Sequence, residues 1–331
     1  MPAARDNVQA LRPAGAAKEA MEAYLRPDIA KRGAGVGEPF ATGQVARPAR
    51  VARWGLAIAG RPHGLQEALV SDGRPKCAGP VALVTGASRG IGRAVALRLG
   101  AEGFRLCLGA RTSEAIGELA RELGAGGADV LAAALDVRDP ESVGAFVQAA
   151  VDRFGRLDLV VANAGVGGGA IFPEMTLQDI EGLVATNFLG ALTTVRAALP
   201  TMLRQRGGSL VLIASVAGEV ALPGSALYAG TKAGLLRFAD GLRREVAQEG
   251  IKVTAVLPGF VRTDMTQGLR LPMPGPEVVA QAVLRAWRRG RRRIVVPGFY
   301  LPLIWLSHLA PWLVDLVGRR ILREMAGARR A

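Results

Sequence analysis

A strand, a glycine-rich turn and a helix follow one another between residues 80 and 101. Residues 80–85 form an apolar run with the length of a buried strand, and a helical pattern follows the turn. Gly86, Gly90 and Gly92 let the backbone turn sharply and approach a pyrophosphate, while the helix N-terminus supplies N–H donors. Because the spacing departs from Gly-x-Gly-x-x-Gly, this segment alone also fits an ordinary tight turn.

Apolar strands and helical patterns continue to alternate along the chain as far as about residue 298. This alternation predicts an α/β fold, a Rossmann-type doubly wound sheet of seven parallel strands with helices on both faces. We expect strands near residues 80–85, 104–109, 129–135, 157–162, 208–214, 251–257 and 293–297. We expect helices at about residues 91–101, 113–123, 140–154, 176–205, 227–248 and 277–289.

Polar, charged or turn-forming residues follow the first six predicted strands. In strand order they are Gly86, Arg111, Asp136, Asn163, Ser215 and Pro258. Ligands of doubly wound sheets bind beyond the carboxyl ends of the strands. The sequence therefore predicts that these residues border one crevice.

Tyr228 and Lys232 are four residues apart in a predicted helix, so their side chains share one face. A lysine ammonium beside a phenol favours the phenolate and draws its pKa down from about 10 toward neutrality. Such a phenol can donate or accept a proton during turnover. Ser215, thirteen residues upstream of Tyr228, is placed to hold the reacting oxygen.

Several short motifs occur together in a characteristic order: Thr85-Gly86-x-x-x-Gly90-x-Gly92, Asn163-Ala164-Gly165, Asn187, Ser215, Tyr228-x-x-x-Lys232 and Pro258-Gly259. In combination they resemble the short-chain dehydrogenase/reductase family of NAD(P)-dependent oxidoreductases. The resemblance covers roughly residues 79 to 298 and does not reach either end of the chain.

The resemblance implies a catalytic set of four residues. Tyr228 exchanges a proton with the substrate oxygen, and Lys232 lowers the phenol pKa and binds the nicotinamide ribose. Ser215 hydrogen-bonds the substrate oxygen. Asn187 is similar to the family asparagine that kinks a helix and holds a proton-relay water, although a buried helical Asn can also be a local back-bonding residue.

The resemblance also implies a cofactor-binding set. The glycine loop holds the pyrophosphate, Asp136 and Val137 meet the adenine, and the Asn163 segment passes the adenosine ribose. The loop after the sixth strand lies near the nicotinamide amide. The set comprises Gly86, Ser88, Arg89, Gly90, Ile91, Gly92, Arg111, Asp136, Val137, Asn163, Ala164, Gly165, Tyr228, Lys232, Pro258, Gly259, Val261 and Thr263.

Charge at the end of the second strand bears on the choice of cofactor. A carboxylate there would bind the ribose hydroxyls and repel a 2′-phosphate. The strand instead ends in Arg111, and Arg89 lies in the glycine loop, so two guanidiniums could hold the phosphate. NADP(H) is therefore favoured over NAD(H). If both arginines are only solvated surface residues, the preference is weak.

The segment 264–273, at the family's substrate-lid position, contains two Met and two Leu and no cluster of charge. With the Gly167–Gly169 run it favours a small apolar carbonyl or alcohol substrate, such as a lipid-like or steroid-like compound. Simple lid packing is the alternative reading of these residues. Two other functions remain open, a 3-oxoacyl-carrier-protein reductase and a non-catalytic NADP(H)-binding scaffold or sensor.

The net charge of +14 belongs to the two ends of the chain. Residues 80–279 hold 19 basic and 19 acidic groups, whereas residues 280–331 hold 11 basic and 2 acidic groups. A neutral core argues against a nucleic-acid partner. Two Cys and two His support neither a disulfide framework nor a metal site, and a cytoplasmic protein is expected.

Three regions are predicted. Residues 1–78 form a low-complexity, disordered extension, and residues 79–298 form the Rossmann-type domain. Residues 299–331 are apolar and basic, with prolines that interrupt any single helix. We expect short helices there that lie peripherally on a membrane surface, cap the substrate cleft, or contact another subunit. The resemblance implies a homo-oligomer, a dimer or tetramer.

Overall fold

The computed structural model describes residues 69–70, 79–167, 170–267 and 272–328. Most of the predicted extension at residues 1–78 therefore lies outside the described residues. So do Gly168 and Gly169, and residues 268–271 of the predicted lid.

Seven parallel strands form the body of the sheet, as the alternating pattern predicts. Their order is β4-β3-β2-β5-β6-β7-β8, and the short β1 pairs antiparallel with β4 at one edge. A two-residue strand has no period to detect, so the sequence did not predict β1. The strands are β1 Leu69–Val70, β2 Val81–Thr85, β3 Arg105–Ala110, β4 Val130–Ala134, β5 Leu159–Ala162, β6 Gly208–Ile213, β7 Ile251–Pro258 and β8 Arg293–Val296.

The chain reverses its direction of winding between β2 and β5, which are neighbours although two strands separate them in sequence. The register places Val84 of β2 beside Val161 of β5, so both strands end at the same edge. Loops leaving neighbouring strands in opposite directions leave a crevice between them. This crevice is where the glycine loop and Asn163 meet.

Helices cover both faces of the sheet, and the core is accordingly divided in two. Helices α3, α5 and α6 pack on one face, around residues such as Phe146 and Leu235. Helices α1, α2 and α7 pack on the other, around Leu99 and Val283. The helices are α1 Gly90–Ala101, α2 Ser113–Ala125, α3 Pro140–Phe154, α4 Leu177–Val184, α5 Gly190–Gln205, α6 Ala226–Glu245, α7 Glu277–Arg289, α8 Tyr300–Leu309 and α9 Pro311–Ala328.

The predicted helix at 176–205 is interrupted by one π-helical turn, Ala185–Leu189, between α4 and α5. Thr176 begins α4 with a capping box to Asp179. The π turn contains the fully buried Asn187, and such turns often occur at functional sites.

The combined stretch Leu177–Gln205 is long and apolar enough to cross a membrane by length and composition. Its α5 part, however, packs in the core with Val195, Ala198 and Met202 buried against the sheet. Helices α8 and α9 pass the same test only as a pair, and a bend of 108° separates them.

Candidate active site

The glycine loop has the geometry of an anion cradle. Gly86 and Gly90 have φ values of +66° and +54°, a region that favours glycine. A Cβ on Gly86 would lie 2.8 Å from Cα of Ala164, and one on Gly92 would overlap the carbonyl oxygen of Gly86. Among the described residues no side chain caps α1, so its first N–H groups face the loop. These features fit a pyrophosphate group.

Thr85, the last residue of β2, joins the glycine loop to the end of β5. Its Oγ1 accepts hydrogen bonds from the backbone N–H groups of Asn163 and Ala164, both at 3.1 Å. Asn163 in turn donates through Nδ2 to the carbonyl oxygens of Thr85 and Gly86. Asn163 therefore fixes the loop, while Ala164 and Gly165 keep the crevice narrow and free of bulky side chains. Thr85 was absent from the predicted site, although its position at the strand end was a signal for it.

The predicted adenine-side residues lie at the ends of β3 and β4. Asp136 is half-buried and forms a bidentate pair with Arg138, which the sequence analysis did not identify. Hydrogen bonds from Arg138 lower the Asp136 pKa, and the charge of Arg111 contributes. Val137 is buried against Gly190 of α5, so it forms part of the pocket wall.

The two arginines of the predicted phosphate grip differ in their contacts. Arg111 is exposed at the end of β3, and the glycine loop is bonded to this strand through Ala87 N and Gly109 O, 3.1 Å apart. Arg89 is also exposed but pairs with Asp264, at 3.0 Å. Arg89 therefore links the glycine loop to the base of the lid segment.

Tyr228 and Lys232 lie in the first half of α6 and share one face, as predicted from their spacing. Lys232 Nζ is 5.7 Å from the centre of the Tyr228 ring and donates to the carbonyl oxygen of Ile213 at 2.9 Å. Ser215 follows β6; its Oγ accepts from Ala217 N–H at 3.1 Å, donates to the Pro258 carbonyl oxygen at 3.4 Å, and lies close enough to the Tyr228 phenol to lower its pKa. The three side chains thus form one cluster at the carboxyl end of β6.

Burial of the phenol works against the predicted effect of Lys232 on the Tyr228 pKa. Burial raises the phenol pKa, and the hydrogen bond from Ser215 opposes this only in part. Burial also lowers the Lys232 pKa to about 8, because desolvation disfavours the ammonium. The amine therefore loses its proton before the phenol does.

Asn187 is fully buried and faces the loop after β5. Its Oδ1 accepts from Val166 N–H at 2.7 Å, and its Nδ2 donates to the Val166 carbonyl at 2.9 Å. A Cβ on Gly165 would lie 3.2 Å from Asn187 Oδ1 and 3.6 Å from Lys232 Nζ. Asn187 is therefore not a back-bonding residue of its own helix, and it shares a small space with Lys232.

The loop after β7 closes the remaining side of the crevice. Thr263 contacts the glycine loop, since a Cβ on Gly90 would lie 3.4 Å from its Cγ2. Met265 reaches Gly167 across the cleft. Pro258 and Val261 are buried supports of the loop. Gly259 packs directly against the ring of Tyr300, a contact from α8 that the sequence analysis did not foresee.

Comparisons with known proteins agree with this geometry. The family model for short chain dehydrogenases matches residues 80–273. A 3-oxoacyl-[acyl-carrier-protein] reductase from Staphylococcus aureus is 41% identical over 189 residues, covering 57% of this chain and 77% of the relative.

Two solved structures with bound nucleotides share the fold. A variant of the actinorhodin polyketide ketoreductase, solved with NADPH, has a TM-score of 0.63 and 31% identity, covering 66% of this chain and 96% of that one. A short-chain dehydrogenase/reductase from Burkholderia phymatum, in complex with NAD, has a TM-score of 0.67 and 27% identity, covering 71% and 95%. With its parallel sheet, glycine loop and matching model, this chain belongs to the short-chain dehydrogenase family of NAD(P)-binding oxidoreductases.

Proposed function

We propose that this protein is an NADP(H)-dependent oxidoreductase that interconverts a carbonyl and a secondary or primary alcohol on an apolar, lipid-like or steroid-like substrate, with Tyr228 as the general acid and base. The observation that carries the proposal is the single cluster formed by Ser215, Tyr228 and Lys232, with Asn187 sharing the space beside Lys232. A damaged site would be expected of a scaffold or sensor, and this cluster is complete.

Each side chain has a role that its contacts support. When bound, the nicotinamide supplies hydride to the carbonyl carbon or accepts it from the alcohol. The Tyr228 hydroxyl donates its proton to the substrate oxygen in reduction and takes it back in oxidation. Ser215 Oγ lies beside the phenol, close enough to lower its pKa, and can orient that oxygen.

Lys232 acts on Tyr228 through charge and position. Its ammonium already donates to Ile213 O, and its other N–H groups can bind the nicotinamide ribose. The negative charge of a bound cofactor would favour the ammonium and oppose the effect of burial on its pKa. With Lys232 charged, the phenolate left after proton donation is stabilised.

The preference for NADP(H) rests on Arg111. No acidic residue occupies positions 109–112, where a carboxylate would bind the adenosine ribose hydroxyls. Arg111 is exposed beside the glycine loop, where its guanidinium can pair with a 2′-phosphate. Arg89 can join it if its exposed pair with Asp264 opens, at small cost.

The apolar substrate class is supported by the side chains around the cleft. Met265, Phe260 and Phe172 all expose large apolar surface, and Met265 reaches over the crevice to Gly167. A 3-oxoacyl chain on an acyl carrier is the second candidate, because the relative from Staphylococcus aureus bears that activity in its name. Both candidates present a ketone attached to an apolar chain.

The test is NADPH oxidation by purified protein with three kinds of ketone: free ketones of increasing chain length, a 3-oxoacyl thioester of coenzyme A, and the same acyl group on carrier protein. NADH is run in parallel. Tyr228→Phe should lower kcat by about 10²- to 10⁴-fold. Tyr300→Phe removes another phenol near the cleft and should cost less than about tenfold, because it loses one neutral hydrogen bond.

The outcomes separate the candidates. Rates that rise with chain length on free ketones support the apolar-substrate proposal, and turnover of the carrier-bound substrate alone selects the second candidate. Equal rates with NADH and NADPH would contradict the cofactor preference. The role of Arg111 would be contradicted if Arg111→Glu kept the same NADPH-to-NADH rate ratio as the exposed control variant Arg121→Glu. Bound NADPH with no turnover of any ketone would favour a sensor.

A further inference from the structure

Helices α8 and α9 present an unusual amount of apolar surface. Helix α8 is apolar apart from Ser307 and His308, and within the described part of the chain only its Tyr300 and Ile304 pack against the core. Trp305, Leu309 and Trp312 are 67%, 78% and 65% exposed. An apolar helix surface of this kind is normally covered by protein or lipid. The same surface also includes Phe299, Leu301, Leu306, Leu316 and Leu322.

Positive charge accompanies this apolar surface. Arg319, Arg320 and Arg323 are exposed in the second half of α9, and Asp315 is the one acidic residue between 299 and 323. Trp305 and Trp312 lie on either side of the bend between the helices. Helices that lie at a phospholipid interface typically combine tryptophan with arginine. Their apolar rings insert into the interface and their guanidiniums contact anionic headgroups.

The geometry opposes a transmembrane arrangement. The two helices meet at 108°, at the break before Pro311, and α8 has only ten residues. A span of the hydrocarbon core needs about 20 helical residues in one direction. Helix α9 has 18 residues but carries Asp315, Arg319, Arg320 and Arg323, so it is poorly suited to the hydrocarbon core. The two helices can instead rest side-on in an interface.

Contacts from the pair reach three loops that border the cleft. Tyr300 Oη accepts from Phe260 N–H at 3.2 Å, in the loop after β7. His308 Nε2 lies 3.5 Å from Glu219, just after the Ser215 turn. Gly318 lies against Pro223 in the loop that leads to Tyr228. A surface that binds α8 and α9 therefore lies close to the substrate entrance.

We propose that α8 and α9 form a docking element for an anionic phospholipid surface, which places the cleft at the membrane and admits apolar substrate from it. Docking itself is independent of turnover and of the cofactor and goes beyond the proposed function, whereas the admission of substrate rests on that function. A second copy of the chain is the less suitable partner. Two-fold pairing centred on the second half of α9 would bring two rows of arginines together.

The test is co-sedimentation of the full chain with vesicles, without cofactor or substrate. The vesicles contain phosphatidylcholine alone or phosphatidylcholine with phosphatidylglycerol. We expect binding to the anionic vesicles only, weakened by salt. Replacing Arg319, Arg320 and Arg323 by Gln should reduce the partition coefficient by about a hundredfold. The matched control replaces three exposed arginines on other helices, Arg121, Arg196 and Arg244, and should bind within about threefold of the parent, because these lie away from the docking helices.

A second pair of variants tests the apolar part. Trp305→Ser with Trp312→Ser should abolish sedimentation, whereas Phe172→Ser with Leu177→Ser should keep most of it. Far-ultraviolet circular dichroism verifies that each variant is folded. Failure of the parent chain to bind anionic vesicles would overturn the proposal. A tryptophan variant that still binds the vesicles would also overturn it. If that variant changed only the oligomer mass measured by light scattering, the helices would be a subunit interface instead.

Discussion

Helix α6 carries two buried charged side chains, two turns apart, and the protein treats them in opposite ways. Lys232 is 4% exposed and donates to one neutral carbonyl, that of Ile213. Asp240 is 6% exposed, and its carboxylate accepts hydrogen bonds from the guanidiniums of Arg292 and Arg293. Burial lowers the Lys232 pKa to about 8, whereas the guanidiniums lower the Asp240 pKa to about 2. The Lys232 shift therefore favours the neutral amine, whereas the Asp240 shift favours the charged carboxylate.

The difference separates a site for chemistry from a structural joint. Asp240 joins α6 to β8, and Arg293 also pairs with the buried carboxylate of Glu219, so this network holds the last strand in place. Its charges are compensated, which is the usual condition for buried ions. Among the described residues no carboxylate pairs with the Lys232 ammonium, so its desolvation carries a cost in stability. A cost of this kind is characteristic of catalytic groups with shifted pKa values.

The largest expected effect is on turnover by Lys232→Met. Losing the cation beside Tyr228 should lower kcat by about 10²- to 10³-fold, because the phenolate is no longer stabilised and a ribose contact is lost. Steady-state ketone reduction measures this. Lys252→Met, which removes an exposed lysine bonded to Trp287 O, is the control and should change kcat less than about threefold, because it lies away from the cleft. Similar losses in both variants would contradict a specific role for Lys232.

The same substitution should stabilise the fold near neutral pH. Because the folded pKa of Lys232 lies below its unfolded value of 10.5, the unfolded chain binds more protons between about pH 8 and 10.5. Removing the buried cation should therefore raise the free energy of unfolding by up to about 3 kcal/mol at pH 7. The gain should shrink as the pH rises toward 10.5. Urea unfolding of the parent and of Lys232→Met across this pH range measures the gain. A difference in unfolding free energy that does not change with pH would show that it does not come from the buried ammonium.

Much of the fold, and the position of Lys232, was accessible from the sequence. Buried parallel strands appear as short apolar runs, so the seven strands were predicted within about two residues of their bounds. Motifs at strand ends located the glycine loop and Ser215 because the parallel order of the strands brings those ends together, and helical spacing placed Tyr228 and Lys232 on one face of α6. Each of these features depends on local pattern or on the known order of the sheet.

The rest depends on contacts between residues far apart in sequence. The Arg89–Asp264 pair and the Asp240 network join segments that no periodicity relates. The direction of the Tyr228 pKa shift depends on how deeply the phenol is buried, which spacing does not reveal. The pairing of Leu69–Val70 with β4 was missed for a further reason, since two residues carry no repeating pattern.

A smaller effect is expected at the other buried charge. Asp240→Asn should lower the free energy of unfolding by about 2 kcal/mol at pH 7, because Arg292 and Arg293 lose their ionised partner. It should change kcat by less than about threefold, since Asp240 lies two turns from Lys232. Urea unfolding and steady-state kinetics check the two halves. If Asp240→Asn had unchanged stability but low turnover, Asp240 would have a role in catalysis and not the structural one assigned to it.

The smallest effect is the acid dependence of that stability. The Asp240 pKa is lowered from 3.8 to about 2, so its contribution is fully present above about pH 4 and is lost as the pH falls toward 2. The difference in unfolding free energy between the parent chain and Asp240→Asn should therefore be constant from pH 7 to 5 and shrink between pH 4 and 3. The Lys232→Met difference should stay constant over the same acid range, because the lysine is charged in both states there. Comparing the urea midpoints of the three proteins at pH 3, 5 and 7 tests this, and parallel curves for all three would mean that the arginines do not hold Asp240 ionised.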